Sequence, residues 1–551
     1  MTDDDTLFQQ AMARHQAGDV TAAATRYRDL LTRHPQNPRL YSLLGSAEMA
    51  LGGRDNALTY LTRALQLDPH QPDASYNRAI LLQALQRWQE ALAAFDHCLE
   101  LNPGQVAAHD RRGAVLVALG RKIEALAAYR KAAQFAPQAP QAHYRVGVMA
   151  LEVKLLEDAL ASFDTALRLA PNFLEALTNR ATTLQRMGRY QKALDDFDRA
   201  LTMAPDFATA HYNRGNLLKD MMRLTDARAS LKRARDCDPN LAQAYWNEAL
   251  VCLLMGNFEA GWPLYEWRWK NPELTHPDWL KTTALWRGEA IKDRTLIIRT
   301  DQGYGDYIQF CRFAITARAR GARVILSAPQ ALCRLLRSFK NVTVVADGEA
   351  LPADGLHVPV LSLPQLFAVT QETIPPAPYL AADPALREKI RATLGAKQRP
   401  RIGLAISGNA NHQNDANRSI PLAALAPLLG LPCDFYLAQQ GLRPADLAEA
   451  ARWPNLHLPP LEDFADTAAL IAEMDLTISV DSAPAHVAGA IGAPVWVLLP
   501  FSPDWRWLTE RDDSPWYPTA KLYRQPAPGD WETVIRAATT GLSGYISASF
   551  T

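Results

Sequence analysis

Residues 188–205 read GRYQKALDDFDRALTMAP, and four positions in this stretch recur along the chain at a fixed interval. Pro205 belongs to a series of seven prolines, Pro35, Pro69, Pro103, Pro137, Pro171, Pro205 and Pro239, each 34 residues after the last. Ala193 belongs to Ala23, Ala57, Ala91, Ala125, Ala159, Ala193 and Ala227. Phe197 belongs to Tyr27, Leu61, Phe95, Tyr129, Phe163, Phe197, Leu231 and Tyr265. Gly188 belongs to Gly18, Gly52, Gly120, Gly188 and Gly256, with Gln86, Lys154 and Met222 in the gaps. Each unit therefore predicts two amphipathic helices. The glycine position turns the chain between them, where positive φ costs least without a Cβ. The alanine lets the helices approach, the aromatic or leucine fills the space beside it, and the proline ends the second helix.

At these positions the chain resembles the tetratricopeptide repeat (TPR) family, whose period is the same. The resemblance implies a right-handed superhelix over residues 1–268, of seven repeats plus a partial eighth, with a concave groove lined by the first helix of each pair. The sixth position of each unit reads Leu43, Asn77, Arg111, Arg145, Asn179, Asn213 and Asn247. An asparagine amide both donates and accepts. The run is similar to the asparagine ladder of the eukaryotic O-GlcNAc transferase, which implies an acceptor groove for an extended peptide; satisfying neighbouring helix ends is the other reading. Asp196-Phe197-Asp198 imitates a metal-binding carboxylate pair, but it lies inside a repeat helix and reads as solvated surface.

After Gly261 the texture changes. Trp262, Trp267, Trp269, Trp279 and Trp286 form a tryptophan-rich connector, assigned to residues 269–290, that is expected to pack the repeats against the next domain. Short apolar runs then alternate with helical patterns: Thr295–Ile298, Val324–Leu326, Val342–Val345 and His357–Val360, then Ile402–Ile406, Phe435–Ala438, Leu476–Val480 and Val495–Leu499. Such alternation predicts two parallel-sheet, Rossmann-like halves, at 291–395 and 396–551. The fold class expected is an α-solenoid followed by an α/β GT-B glycosyltransferase fold. Ligands in such sheets bind beyond the carboxyl ends of the strands.

Motifs sit at those ends. The first strand is followed by Asp301-Gln302-Gly303-Tyr304-Gly305-Asp306, whose glycines permit a tight turn and close ligand approach. The strand Leu476–Val480 runs into Asp481-Ser482-Ala483-Pro484-Ala485-His486, a strand end followed by a helix start, which suits phosphate. Both resemble elements of the heptosyltransferase-like enzymes. That resemblance implies that Asp306 is the general base toward an acceptor hydroxyl, with Gly303 and Gly305 as the glycine loop. It also implies that Asp481, Ser482 and His486 meet the donor's diphosphate and sugar. In the polar loop 407–422 it implies that Arg418 pairs with the donor phosphates, with Asn409 beside it; Gln439, after the next strand, is expected at the base or ribose. Helix N-capping explains Asp306 and Asp481 equally well. The aromatic stretch from Pro500 to Pro518 reads either as a wall of the donor pocket or as an anchor for the last helix.

Composition removes several function classes. Lys+Arg number 58 and Asp+Glu 58, so no global positive field holds nucleic acid. No run approaches a membrane span, and the start MTDDDTLFQQ, acidic and without an apolar run, is expected not to act as a signal peptide. Six scattered cysteines without a CxxC pattern read as buried free thiols in a cytoplasmic protein. No metal site and no cofactor is expected; the donor is a substrate. The chain looks like bacterial TPR–glycosyltransferase fusions, a group that includes flagellin-modifying enzymes. This implies transfer of a sugar from a nucleotide-sugar to Ser or Thr of a protein acceptor. Two alternatives stay open: a lipopolysaccharide or small-molecule acceptor, and a scaffold with an inactive transferase half.

Overall fold

The computed structural model describes residues 3–409 and 414–549. The chain divides into two compact units, Met1–Pro205 and Asp206–Thr551.

The first unit is a run of helix pairs: Asp3–Gln16 with Val20–Arg33, Pro38–Ala50 with Arg54–Leu67, Pro72–Ala84 with Trp88–Leu101, Val106–Ala118 with Lys122–Phe135, Pro140–Glu152 with Leu156–Leu169, and Leu174–Arg186 with Tyr190–Met203. Each second helix stops two residues before its periodic proline. The turn position has positive φ throughout, and not only where it is glycine: Gly120 sits at 74° and Lys154 at 63°. Ala23, Ala57, Ala91, Ala159 and Ala193 are fully buried, and the aromatics Tyr27, Phe95 and Phe163 lie beside them at 0% exposure.

The structure adds a second small-residue register. Gly45, Ala79, Gly113, Gly147 and Ala181 also repeat, on the first helix of each pair. A Cβ at Gly113 would stand 2.6 Å from the Tyr129 ring, and one at Gly147 2.6 Å from Phe163. The helices thus approach through small residues on both partners. One surface reading is corrected. Asp196 is 7% exposed, and Arg180 grips both its oxygens at 2.8 and 2.6 Å. It is a structural ion-pair partner, while Asp198 stays on the surface.

The second unit starts with two more pairs, Ala208–Asp220 with Leu224–Cys237 and Ala242–Leu254 with Phe258–Tyr265. Repeat geometry therefore runs on to Tyr265, although the compact division falls at Pro205 rather than at residue 268. The last helix carries Pro263 and passes into a 3-10 turn, Glu266–Lys270. Among the described residues ten strands follow: β1 Thr295–Arg299, β2 Arg323–Ala328, β3 Thr343–Ala346, β4 Leu356–Pro359, β5 Arg401–Ala405, β6 Asp434–Leu437, β7 Leu456–His457, β8 Leu476–Val480, β9 Val495–Leu499 and β10 Ala520–Arg524. They form two parallel sheets of Rossmann-like character, ordered β3-β2-β1-β4 and β10-β9-β8-β5-β6-β7, in line with a GT-B fold. β7 and β10 had no sequence counterpart: one has two residues, and the other, AKLYR, mixes charge with apolar side chains.

The connector packs as expected at two positions. The Trp262 indole N–H donates to the Val369 carbonyl at 2.9 Å, and Trp286 lies against Phe367. Trp267 instead stacks on Tyr245 of the last repeat. The closing helix Trp531–Ser549 buries Val534, Ile535, Ala538 and Leu542 in the same core as Leu428 and Leu429. Among the described residues no helix is long and apolar enough to cross a membrane.

Candidate active site

The site begins where β1 ends. Gly303 caps the short helix Tyr304–Phe310, and Asp306, three residues on, reaches back so that its Oδ2 accepts the Gly303 N–H at 2.9 Å. This is the carboxylate half of a capping box. Its other oxygen, Oδ1, accepts from Arg506. Arg506 also donates to Asp504 at 2.7 Å, and its guanidinium lies 4.4 Å from the centre of the Trp505 ring. The helix-capping reading of Asp306 is therefore realised, and it leaves each oxygen one further lone pair.

The second strand end faces it. β8 leads into Asp481 and Ser482, and the helix Ala483–Ile491 starts with Pro484 in its first turn and stops at Gly492, whose φ is 77°. Asp481 is 8% exposed. Burial and the charge of Asp504 push its carboxyl up to about 6, against the pull of Trp507, Arg418 and Arg506. Burial also presses on Asp504, but Arg506 more than offsets it and holds that group below the usual range. The buried Ser482 hydroxyl reaches the Val480 carbonyl and the Ser479 hydroxyl, each at 3.4 Å.

His486 joins the two elements. A Cβ on Gly305 would stand 2.8 Å from its Cδ2, so the glycine lets the two helices meet over the imidazole. Trp507 lies against the ring at 5.6 Å between centroids, the Tyr517 hydroxyl stands 3.0 Å from Nδ1, and Nε2 is 4.0 Å from Asp481 Oδ1. Burial, followed by the charge of Arg506, brings the imidazole down to about 3.

The loop after β5 completes this side. Arg418 donates to the Asp481 backbone carbonyl at 3.1 Å, and its guanidinium rests on Gly408, where a Cβ would stand 2.7 Å from Nη2. Its Nε is buried without a hydrogen-bond partner among the described residues. Asn409 is exposed beside it; residues 410–413 of this loop lie outside the described residues. Gln439 is fully engaged at home. Its Oε1 accepts from the Ile406 and Ser407 N–H groups at 2.6 and 3.1 Å, and its Nε2 donates to the Ser407 hydroxyl and the Gly441 carbonyl. It ties the end of β6 to the end of β5, and it borders a cleft of about 690 Å³ whose lining includes Leu442, Leu447, Leu458 and Pro459 together with the polar Gln440 and Glu462.

Sequence reasoning missed the groups that hold this site together. Arg506 is 6% exposed between two buried tryptophans. Tyr517 is 1% exposed. Asp301 has a fully buried side chain, with Arg268 at 3.1 Å. Burial pushes the Asp301 carboxyl up to about 6 against the pull of Arg268. The stretch 500–518 is thus neither a bare pocket wall nor the anchor of the last helix. Trp505 and Trp516 pack on Phe310 and on the last repeat helix, through Trp262 and Phe258, and so deliver Arg506, Trp507 and Tyr517 to the strand ends. The only sequence signal was the placement of one arginine between two tryptophans.

The groove residues show a mixed use. In the first unit, Asn179 donates to the Tyr144 hydroxyl at 3.0 Å, Arg145 pairs with Asp110 at 2.7 Å, Arg111 is exposed with Gln83 at 3.4 Å, and Asn77 is half-buried. In the second, Asn247 donates to the Tyr212 hydroxyl and to Asn216 at 3.2 and 2.7 Å, and Asn213 is half-buried. Two of the amides therefore spend a donor on stitching one repeat to the previous one.

Family models place these features among known proteins. Tetratricopeptide repeat models match residues 8–72, 111–172, 49–112 and 174–207. The glycosyltransferase family 9 (heptosyltransferase) model matches residues 443–503, which contain β8 and the Asp481–His486 segment. The chain thus combines tetratricopeptide repeats with a family 9-like segment, the layout of a TPR–glycosyltransferase fusion. Protein FlbA of Caulobacter vibrioides is 25% identical over 332 residues, covering 54% of this chain and 55% of that protein. Cellulose synthase operon protein C of Pseudomonas fluorescens is 35% identical over 78 residues, 14% of this chain and 6% of that one. The chain therefore spans about half of the first curated relative and a small part of the second. Among solved structures, YrrB, described as a TPR protein with an unusual peptide-binding site, is 26% identical over 33% of this chain and 95% of its own, with a TM-score of 0.30. MamA from Desulfovibrio magneticus RS-1 is 24% identical over 31% of this chain and 96% of its own, with a TM-score of 0.29.

Proposed function

We propose that the protein is a cytoplasmic glycosyltransferase that moves a sugar from a nucleotide-sugar to a Ser or Thr hydroxyl of a protein held by the repeats, flagellin being a candidate acceptor. The observation that carries this reading is the meeting of two strand-end helices over His486. They bring Asp306 and Asp481 to the carboxyl ends of two parallel sheets, where such sheets bind ligands, and the loop after β5 adds Arg418.

The chemistry follows from the placement. The acceptor oxygen attacks the anomeric carbon and gives its proton to Asp306, whose side chain is 20% exposed and keeps a lone pair on each oxygen. The bond from that carbon to the diphosphate breaks, and the electron pair leaves with the phosphate, so the anomeric centre inverts. The leaving charge is met by the N-terminus of the helix Ala483–Ile491 and by the Arg418 guanidinium, with no metal ion required. The cleft beside Gln439 suits the flat apolar face of a base. Within each unit the groove amides suit an extended peptide backbone: Asn77 and Asn179 in the first, and Asn213 and Asn247 in the second, where a side-chain amide both donates and accepts.

The test uses the full chain with UDP-, ADP-, GDP- and CMP-sugars. One donor is expected to raise the melting temperature, since a ligand of the native state stabilises it by mass action. That donor should then be hydrolysed or transferred. If none is turned over, the transferase reading is replaced by that of a scaffold. If turnover continues undiminished in Asp306→Asn, the base is another group.

A further inference from the structure

We propose that Tyr517 is a positioning residue for His486, holding the imidazole so that Nε2 carries its hydrogen and faces the donor site as a hydrogen-bond donor. This rests on the reading of the cleft as a nucleotide-sugar site.

The geometry first fixes where the ring can be. Gly305 closes on its Cδ2 edge, and Trp507 covers a face. Tyr517 can stand at Nδ1 only because Gly489 is a glycine: a Cβ there would lie 2.3 Å from the Tyr517 ring. Two close approaches at glycine therefore leave the imidazole one orientation, with Nδ1 toward Tyr517 and Nε2 toward Asp481.

The hydrogen bonds then decide the tautomer. Tyr379 donates its hydroxyl to the Ile308 carbonyl at 2.9 Å and accepts from Arg312 at 3.1 Å. The Tyr379 hydroxyl is also hydrogen-bonded to the Tyr517 hydroxyl, and since its own proton is committed to Ile308 it can only accept there. The Tyr517 proton therefore chooses between a phenol oxygen and an imidazole nitrogen, and the nitrogen is the stronger base. Arg312 is buried among carbonyls, at 2.9 Å from Trp516 and 3.2 Å from Pro375, and its charge lies 5.0 Å from the centre of the Tyr517 ring. The opposite tautomer would turn a bare Nε2 lone pair toward the Asp481 carboxyl 4.0 Å away. Both ends of the ring favour a hydrogen on Nε2.

The role that results is that of a fixed donor, not of an acid or base. Burial, Arg506, Arg312 and Arg418 disfavour the imidazolium, while Asp504 favours it and Asp481 faces Nε2; the balance leaves the ring neutral at working pH. A neutral N–H can hold a sugar hydroxyl or a phosphate oxygen without changing charge during the reaction. Tyr517 touches neither substrate nor reacting atoms, and acts through His486.

The experiment reads the tautomer and the rate separately. In isotope-labelled full-length protein, the ring carbon and nitrogen resonances of His486, assigned by their loss in His486→Gln, are expected to show hydrogen on Nε2. Tyr517→Phe, which keeps the ring, is expected to populate the other tautomer. With whichever nucleotide-sugar is turned over, kcat should fall about tenfold or more while KM changes less than about threefold. In the His486→Gln background, whose amide has no tautomer, Tyr517→Phe should cost less than about twofold. Hydrogen on Nδ1 in the unmodified protein overturns the proposal, and so does an equal rate loss in both backgrounds. Should Tyr517→Phe fail to fold, the spectrum of the unmodified protein still decides. Should no nucleotide-sugar be turned over, the transferase reading fails while the tautomer remains measurable.

Discussion

The repeats and the strand-end site use their residues in opposite ways. In the repeats every structural job is done many times over. Seven prolines end seven helices, and a non-glycine is accepted at Gln86, Lys154 and Met222 in turns with φ between 56 and 63°. At the site each job is done once. Among the described residues Arg506 alone pairs with both Asp306 and Asp504, and the approach of His486 to the first helix passes over Gly305. Distributed roles make single departures cheap, whereas a shared partner makes one departure costly.

Arg506 gives the largest test of that contrast. Arg506→Met keeps much of the apolar stem but leaves two carboxylates without their cation. Removing one partner of a buried ion pair typically costs about 3–5 kcal/mol. The expected result is a fall in urea-denaturation stability of about 3 kcal/mol, together with loss of transfer activity. A loss below about 1 kcal/mol would mean that solvent compensates Asp306 and Asp504, and that the site does not concentrate its energy there.

The two strand-end carboxylates sharpen the contrast, because they should respond with opposite signs. Asp481 is buried, and its carboxyl has moved from 3.8 to about 6, with burial as the first cause. Between these values the folded chain binds more protons than the unfolded one, so stability falls as pH rises from about 4 through about 6. That displacement corresponds to about 3 kcal/mol. Asp481→Asn is therefore expected to stabilise the chain at pH 7 by about 2–3 kcal/mol, with the gain vanishing near pH 4. Asp306→Asn removes the charged partner of Arg506 and should destabilise by about 1–3 kcal/mol at pH 7. Denaturation of both variants at pH 4 and pH 7 separates them. Equal signs would show that the two carboxylates share one environment.

The same contrast explains what the sequence disclosed. Fold and strand ends were legible because they rest on period and alternation: all eight apolar runs became strands, and the turn position kept positive φ even at Gln86, Lys154 and Met222. The glycine register at Gly45, Gly113 and Gly147 was equally periodic but went unread, since its meaning lies in a contact with Tyr129 or Phe163 across the pair. Arg506, Tyr517 and the Arg268–Asp301 pair were not legible for a different reason. Arg506 meets Asp306 across 200 positions of chain, and Tyr517 meets His486 across 31, with no period to announce either. Gln439 was placed near the right cleft, but its amide is occupied by backbone groups, which depends on how β5 and β6 sit side by side.

The smallest effect probes the repeats themselves, at two equivalent turns in the first unit. Gly120 has φ of 74°, and a Cβ built on it meets nothing within 4 Å. Gly120→Ala therefore changes no packing, and its cost is that of a left-handed alanine, about 1 kcal/mol. Lys154 occupies the same position one repeat later at φ of 63°. Lys154→Gly relieves the left-handed strain but also loosens the unfolded chain, so the net gain is about 0.5–1 kcal/mol. Opposite shifts in thermal stability at these two turns would show that the backbone conformation is set by the repeat and not by the residue. If Lys154→Gly instead destabilises, the lysine has a local partner that holds the turn, and the repeats are less interchangeable than their period implies.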